Sequence, residues 1–307
     1  MRRHGMDAIH PYRPNALTGN PLDRAGNRRG EDAWITALLG AETSLFLPVW
    51  RAQSFIDGMQ AGNPRAGMLT ARAVAGHIDT HPWVFLGMLK GDAVFAIDFS
   101  TLNAPPDFAP GTGFADLWRV GSVMPDTEAS MLAHARGLMH WRNGHRFCSK
   151  CGGPCRVEKA GHVMQCDACG TAHFPRTDPA VIMLVTDGER ALLAQPTNLR
   201  RMSVFTTLAG FVEPGESLEE TVAREVFEET GVHVVDVRYQ SSQPWPFPAS
   251  IMLGFTARAT SREITIDPVE IAAARWFTRA EAAAQDGFVL PPDFSIARRL
   301  IDAWLAG

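Results

Sequence analysis

Apolar residues come in short runs through the first 125 positions and then switch to alternating strand-like and helical periods. Runs at 44–50, 84–89 and 94–99 are separated by turn formers at Gly58, Gly62-Asn63-Pro64 and Gly91-Asp92, which predicts short strands in a small α/β or mostly β unit. Residues 1–30, rich in Arg, Asn, Gly and Pro, carry little periodicity and read as a loose arm with room for one short strand. From 126 to 143, Leu132, Ala135, Leu138 and Met139 recur at three- and four-residue steps, the period of a helix. Beyond the cysteines, 179–185 reads as a buried strand with 190–194 as its partner. A loop and helix at 210–231 follow, then strands near 232–240, 250–260 and 263–266, and a closing helix at 293–305. This gives four parts: an arm (1–30), an N-terminal α/β domain (31–143), a cysteine-rich insert (144–175) and a C-terminal domain (176–307).

Composition narrows the function. With 307 residues, 46% hydrophobic and 20% charged, the chain has the make-up of a core-forming protein. A formal net charge of −4 argues against a protein held to nucleic acid by bulk attraction to phosphates. No apolar run nears the roughly 18–20 residues needed to cross a bilayer, and the basic start lacks the apolar stretch of a secretory signal. A cytoplasmic setting is therefore expected, where paired cysteines point to metal before disulfide.

All five cysteines lie within 148–169. Cys148-x2-Cys151, fourteen residues, then Cys166-x2-Cys169 is the spacing of two zinc knuckles, each presenting two thiolates to one ion. Gly152-Gly153 and Gly170 supply the tight turns. Idle thiols or two disulfides are the bland alternatives. Cys155 breaks the pattern and is left out of the ligand set. His145, His162 and His173 lie nearby, but four cysteines already complete a tetrahedron, which makes the site structural.

The segment GFVEPGESLEETVAREVFEETGV, 210–232, carries the most chemistry. Ser217 and Glu220 form a capping box, Gly231 suits a helix stop, and Leu218, Val222 and Val226 step along one inward face. Glu225, Glu228 and Glu229 share an arc of about 100° on that helix. Crowding like charges costs about 0.2–0.5 kcal/mol per pair, so a compensating partner is expected. Hard divalent cations such as Mg²⁺ prefer such oxygen ligands. A solvated acidic face is the alternative for the EVFEET run alone.

The whole segment is identified as a Nudix box, G-x5-E-x7-R-E-U-x-E-E-x-G-U with U aliphatic, through Gly210, Glu216, Arg224, Glu225, Val226, Glu228, Glu229, Gly231 and Val232. A four-cysteine ribbon ahead of the box, and SQPWPFPAS at 242–250 after it, resemble the NADH pyrophosphatase family of Nudix hydrolases. The resemblance is close from about Ala135 onward and weak before it. It implies a mixed-sheet α/β/α sandwich preceded by a zinc ribbon and an N-terminal α/β domain, with one structural zinc per chain and catalytic Mg²⁺ or Mn²⁺. It also implies hydrolysis of the diphosphate of NAD(H) to AMP and the nicotinamide mononucleotide, action on NAD-capped RNA in related members, and a homodimer. Carried over by position, the catalytic metal would meet Glu225, Glu229, Glu270 and the carbonyl of Ala209, with Glu228 a water-bridged ligand or a base. Gln243, Pro244, Trp245, Pro246, Phe247, Pro248, Ala249 and Ser250 would line the dinucleotide. Phe211 would lie against the nicotinamide, and Phe174 (where the family usually has Tyr), Arg119 and Ala297 would also touch substrate. For Phe211, a core position under the loop is the alternative. Two further readings compete: a Nudix hydrolase of another nucleoside diphosphate such as ADP-ribose, and a non-catalytic RNA- or protein-binding module.

Overall fold

A computed structural model describes residues 14–307 apart from Gln60, so residues 1–13 of the expected arm lie outside the described residues. The protein is mixed α/β, with three sheets in chain order: seven strands, then three, then six.

The first sheet runs Arg65–Ala66, Gln53–Asp57, Leu45–Trp50, Asp92–Asp98, Trp83–Leu89, with Leu69–Thr70 and Gly113–Ala115 pairing at its margins. Its strands bury both faces. Val94 and Ala96 pack toward the long helix Asp126–Gly144, while Phe95 and Ile97 pack toward a second cluster that includes Ile35 of the helix Asp32–Leu39. This period-two division is what a strand covered on both sides requires. The 14–30 segment is not loose as the sequence suggested. Leu17 and Leu22 are buried in the first cluster, and Asp23 exchanges backbone hydrogen bonds with Met88 at 3.0 and 2.8 Å. Two isolated leucines leave no periodicity for a sequence reading to detect.

The last sheet runs Val234–Trp245, Ser250–Ala259, Asp178–Thr186, Arg190–Pro196, Ile271–Thr278, with Leu208–Phe211 antiparallel to Asp178–Thr186. The pairing of Asp178–Thr186 with Ser250–Ala259 is parallel, so the sheet is mixed. Val181, Met183 and Val185 face the core beneath the helix Leu218–Thr230, where Val222 and Val226 are fully buried. Ile182 and Leu184 face the other layer, formed by the C-terminal helix Ile296–Ala306. This is the expected α/β/α sandwich.

Two elements differ from the sequence reading. No strand forms at 263–266. Thr265 N–H bonds to the carbonyl of Thr230 at 2.9 Å and Asp267 N–H to that of Glu229 at 3.2 Å, so this stretch satisfies the end of the box helix, not a sheet edge. The strand Ile271–Thr278 was not anticipated; three consecutive alanines dilute the strand preference of Ile271, Trp276, Phe277 and Thr278, and register with Arg190–Pro196 fixes it.

The N-terminal and C-terminal units meet at the SQPWPFPAS segment. It is the end of one strand and the start of the next, with Gln243 opposite Met252 and Trp245 opposite Ser250. Gln243 has no exposed surface. Its amide donates to the carbonyls of Phe294 at 2.8 Å and Ala16 at 3.2 Å and accepts from Ile296 N–H at 2.8 Å. Trp118 makes edge contacts with Trp245, Phe247 and Phe294, and Arg136 donates to the carbonyl of Pro246 at 2.7 Å. Gln243→Leu strands these buried partners and is expected to lower unfolding free energy by on the order of 2 kcal/mol in urea titrations. Unchanged stability would contradict the clamp.

Candidate functional site

The box helix Leu218–Thr230 begins as the sequence indicates. Ser217 Oγ accepts from Glu220 N–H while the Glu220 carboxylate accepts from Ser217 N–H, and Gly231 ends the helix in the left-handed region at φ 69°. The inward apolar face fixes the helix rotation, and that rotation splits the three glutamates. Glu225 and Glu229 are buried at 9% and 6% exposure; Glu228 stays on the surface.

Glycine at 210 is a steric requirement. A Cβ there would lie 1.9 Å from Glu225 Cδ, so only a bare backbone lets the carboxyl pack against the strand Leu208–Phe211. Arg224 ties the group together. Its Nε bonds Glu216 at 2.6 Å, its Nη1 bonds Glu225 and Glu228 at 2.9 Å each, and its Nη2 bonds the Phe211 carbonyl at 2.9 Å. The bond to Arg224 holds the Glu216 carboxyl down at about 2. Burial has the opposite effect on the inner pair. It raises Glu225 despite Arg224, and with the charges of Glu225 and Glu270 it raises Glu229 to about 8.

Glu229, Glu270 and Ala209 line one cavity of about 390 Å³, together with Thr197, Asn198 and Thr207. Glu229 Oε2 and Thr207 Oγ1 are buried without a hydrogen-bond partner among the described residues. Two unsatisfied oxygens on one cavity, one from a carboxylate, form a donor set suited to a hard cation and its oxygen ligands. Thr197, Asn198 and Thr207 carried no motif or periodic signal in the sequence.

The ribbon is a three-stranded sheet of Cys155–Glu158, Val163–Cys166 and Ala172–His173. The sulfurs of Cys148, Cys151, Cys166 and Cys169 all lie within 4.8 Å of one another. Cys148 to Cys169 is 3.7 Å and Cys151 to Cys166 is 3.5 Å. A tetrahedron with Zn–S bonds of about 2.3 Å has edges of about 3.8 Å, so the four thiolates fit zinc. Cys155 pairs across the strands with Cys166 and stands outside the four. His173 Nε2 lies 3.3 Å from the Cys148 sulfur, a contact around the site, not a fifth ligand place.

Comparison with known proteins agrees with this geometry. Residues 43–141 match the NADH pyrophosphatase-like rudimentary NUDIX domain, 144–174 the NADH pyrophosphatase zinc ribbon domain, and 176–302 the NUDIX domain. The chain is 42% identical over 221 residues, 72% of its own length and 76% of the relative's, to a protein of Stutzerimonas stutzeri named NAD-capped RNA hydrolase NudC. The protein of that name from Deinococcus radiodurans is 40% identical over 73% of this chain and 77% of its own. The chain belongs to the NADH pyrophosphatase family of Nudix hydrolases. Its N-terminal unit, weakly legible from sequence, is thus a second, rudimentary Nudix domain.

For a member of this family, the placement of the remaining candidate residues is uneven. Phe211 is 59% exposed, which removes the core alternative, and Phe174 is equally exposed. Arg119 is exposed on the short helix Leu117–Val120. Pro244, Trp245, Pro246, Ala249 and Ser250 line a different cavity, of about 450 Å³, that contains none of the box glutamates. Phe247 packs against the N-terminal core, and Pro248 is exposed at the turn. Two of the expected contact residues are buried. Gln243 is fully buried with its amide committed to backbone partners, and Ala297 is 5% exposed inside the C-terminal helix packing.

Because zinc binding is coupled to folding of so small a ribbon, Cys148→Ser is expected to lower both zinc content and melting temperature. Full zinc occupancy with unchanged melting would remove Cys148 from the ligand set.

Proposed function

We propose that the chain hydrolyses the diphosphate bond of NAD(H), giving AMP and the nicotinamide mononucleotide, and that it acts likewise on NAD caps of RNA, the activity for which its relatives are named. The observation that carries this reading is the buried carboxylate Glu229, unsatisfied and facing the same cavity as Glu270, beneath a complete Nudix box. Glu225, Glu229 and Glu270, with the Ala209 carbonyl, are the residues to hold Mg²⁺ or Mn²⁺. Such a cation supplies charge stabilisation on the diphosphate oxygens and lowers the barrier to attack by water.

The chain's own groups do the rest. Arg224 fixes Glu225 and Glu216 so that neither carboxylate can swing away. Of the two candidates to accept the proton of the attacking water, Glu228 is exposed and paired with Arg224, whereas Glu270 lines the cavity with Glu229. Glu270 is better placed, but it is also assigned to the cation, so it serves as the base only through the oxygen that the cation does not take; Glu228 stays the other candidate. Phe211, exposed beside the box, is free to lie against a nicotinamide ring. The family resemblance supports a homodimer in which Phe174 and Arg119 reach substrate. Among the described residues, no helix is long and apolar enough to cross a membrane.

NADH with Mg²⁺, with products resolved by chromatography, tests the reaction: AMP and NMNH are expected, and no hydrolysis of any nucleoside diphosphate would leave only a binding module. Phe211→Ala should cost NADH about 1–3 kcal/mol, by analogy with base–aromatic stacking, or roughly tenfold to a hundredfold in kcat/KM. ADP-ribose, which has no nicotinamide, should be affected much less. Equal losses on both substrates would take Phe211 off the nicotinamide.

A further inference from the structure

A turn rich in proline cannot hold its own shape through ladder hydrogen bonds. Pro244, Pro246 and Pro248 bring no backbone N–H. Trp245 and Ser250 are the last register pair of the two strands, and between them Phe247 N–H donates back to the Trp245 carbonyl at 2.7 Å. Other fixed points come from outside the turn. Asp178 N–H donates to the Ala249 carbonyl at 2.8 Å, and Arg136 Nε donates to the Pro246 carbonyl at 2.7 Å. Arg136 belongs to the long helix Asp126–Gly144, in the rudimentary Nudix domain. Its Nη1 donates to the Ala52 carbonyl of the same domain, and its guanidinium lies over the Phe247 ring at 4.9 Å. One side chain thus joins the backbones of both units and covers an aromatic ring between them.

This is a demanding place for a cation. The Arg136 side chain is 13% exposed, and burial holds its guanidinium below the usual range, against the pull of Asp116. Asp116 is 3.7 Å away with a side chain 46% exposed, so the pair returns little of the desolvation cost. An apolar side chain of similar length would fill the space without that cost. It could not donate to two carbonyls at fixed angles while lying on a ring, as the planar guanidinium does. Asp116 has a second task. Its carboxylate caps the short helix Leu117–Val120 by accepting from Trp118 N–H at 3.1 Å. Trp118 then meets Trp245, Phe247 and Phe294 edge-on, with ring centres 5.1, 5.7 and 5.1 Å apart. Edge-to-face pairs at such spacing favour one relative orientation. Arg136 and Trp118 therefore hold three successive residues of the turn, 245–247, and Asp116 links the two.

We propose that the rudimentary Nudix domain contributes to substrate binding through Arg136 and Trp118, positioning residues that keep the 245–248 turn in the shape that receives the dinucleotide. The inference rests on the reading, given above, that this segment lines the substrate. Neither residue has to touch the substrate itself. The cavity walled by Trp245 and Pro246 contains none of the box glutamates, so a loosened turn weakens binding and leaves the cation site as it was. A loss shared by ground state and transition state falls on KM, not on kcat.

The test uses the full, zinc-loaded chain. NADH binding is followed by the fluorescence of its own nicotinamide without divalent metal, and kcat and KM are then measured with Mg²⁺. Arg136→Met keeps the apolar stem and removes the donors. It should weaken NADH binding and raise KM by about tenfold, with kcat within about threefold of wild type and Mn²⁺ affinity, read by electron paramagnetic resonance, unchanged. Arg136→Lys, which keeps the charge and one donor, should recover part of the loss. Trp118→Leu, at an exposed position, should shift binding in the same direction and serves in place of Arg136→Met where that variant does not fold. Trp245→Ala separates the two levels of the argument and should raise KM at least as much. A raised KM in Trp245→Ala beside wild-type binding in folded Arg136→Met and Trp118→Leu would overturn the positioning role alone. Unchanged KM in Trp245→Ala would overturn the reading of the segment and the inference with it. Losses of kcat and Mn²⁺ affinity as large as the loss of NADH binding would overturn the positioning role in favour of a general effect on stability.

Discussion

Two carboxylates one helical turn apart, Glu225 and Glu229, are buried inside the C-terminal sandwich, and much of the local structure follows from keeping them there. Burial penalises their charged forms, which is why both titrate above the ordinary range and Glu229 is raised to about 8. The fold answers this in two ways. Arg224, itself held by Glu216, supplies one counter-charge to Glu225, and a glycine at 210 removes the atom that would occupy the carboxyl's place. Nothing among the described residues answers Glu229 Oε2. A divalent cation at this place, as proposed above, would be the partner that makes the burial favourable.

The same sheet that positions the box helix also positions the seam. Its edge strand Val234–Trp245 carries Gln243, whose amide joins the C-terminal helix and the 14–16 segment in one set of hydrogen bonds. A motif that distinguishes this family on paper thus carries, in Gln243, a residue that ties the 14–16 segment to the catalytic domain. Trp245 and Phe247 extend that tie through Trp118.

The legible parts of the sequence were those in which local chemistry and tertiary packing agree. Capping at Ser217, the stop at Gly231, the step of Val222 and Val226, and the four-cysteine spacing all act over a few residues, and each is found where the pattern placed it. What escaped was set by distant partners. Ile271–Thr278 is a strand through its pairing with Arg190–Pro196, and Ile264 and Ile266 pack against the core without forming one. Glu225 and Glu228 look equivalent in sequence; their different burial depends on which face of the helix meets the strand Leu208–Phe211. The polar wall of Thr197, Asn198 and Thr207 comes from loops with no periodicity of their own.

Binding of Mn²⁺ to the zinc-loaded protein, followed by electron paramagnetic resonance in wild type and Glu229→Gln, probes the buried carboxylate most directly. Replacing the charged ligand with an amide of the same size should weaken Mn²⁺ by roughly tenfold or more, a difference of about 1.4 kcal/mol at the least, with zinc content and melting temperature retained. Wild-type Mn²⁺ affinity in a folded Glu229→Gln protein would contradict the assignment of this carboxylate to the metal.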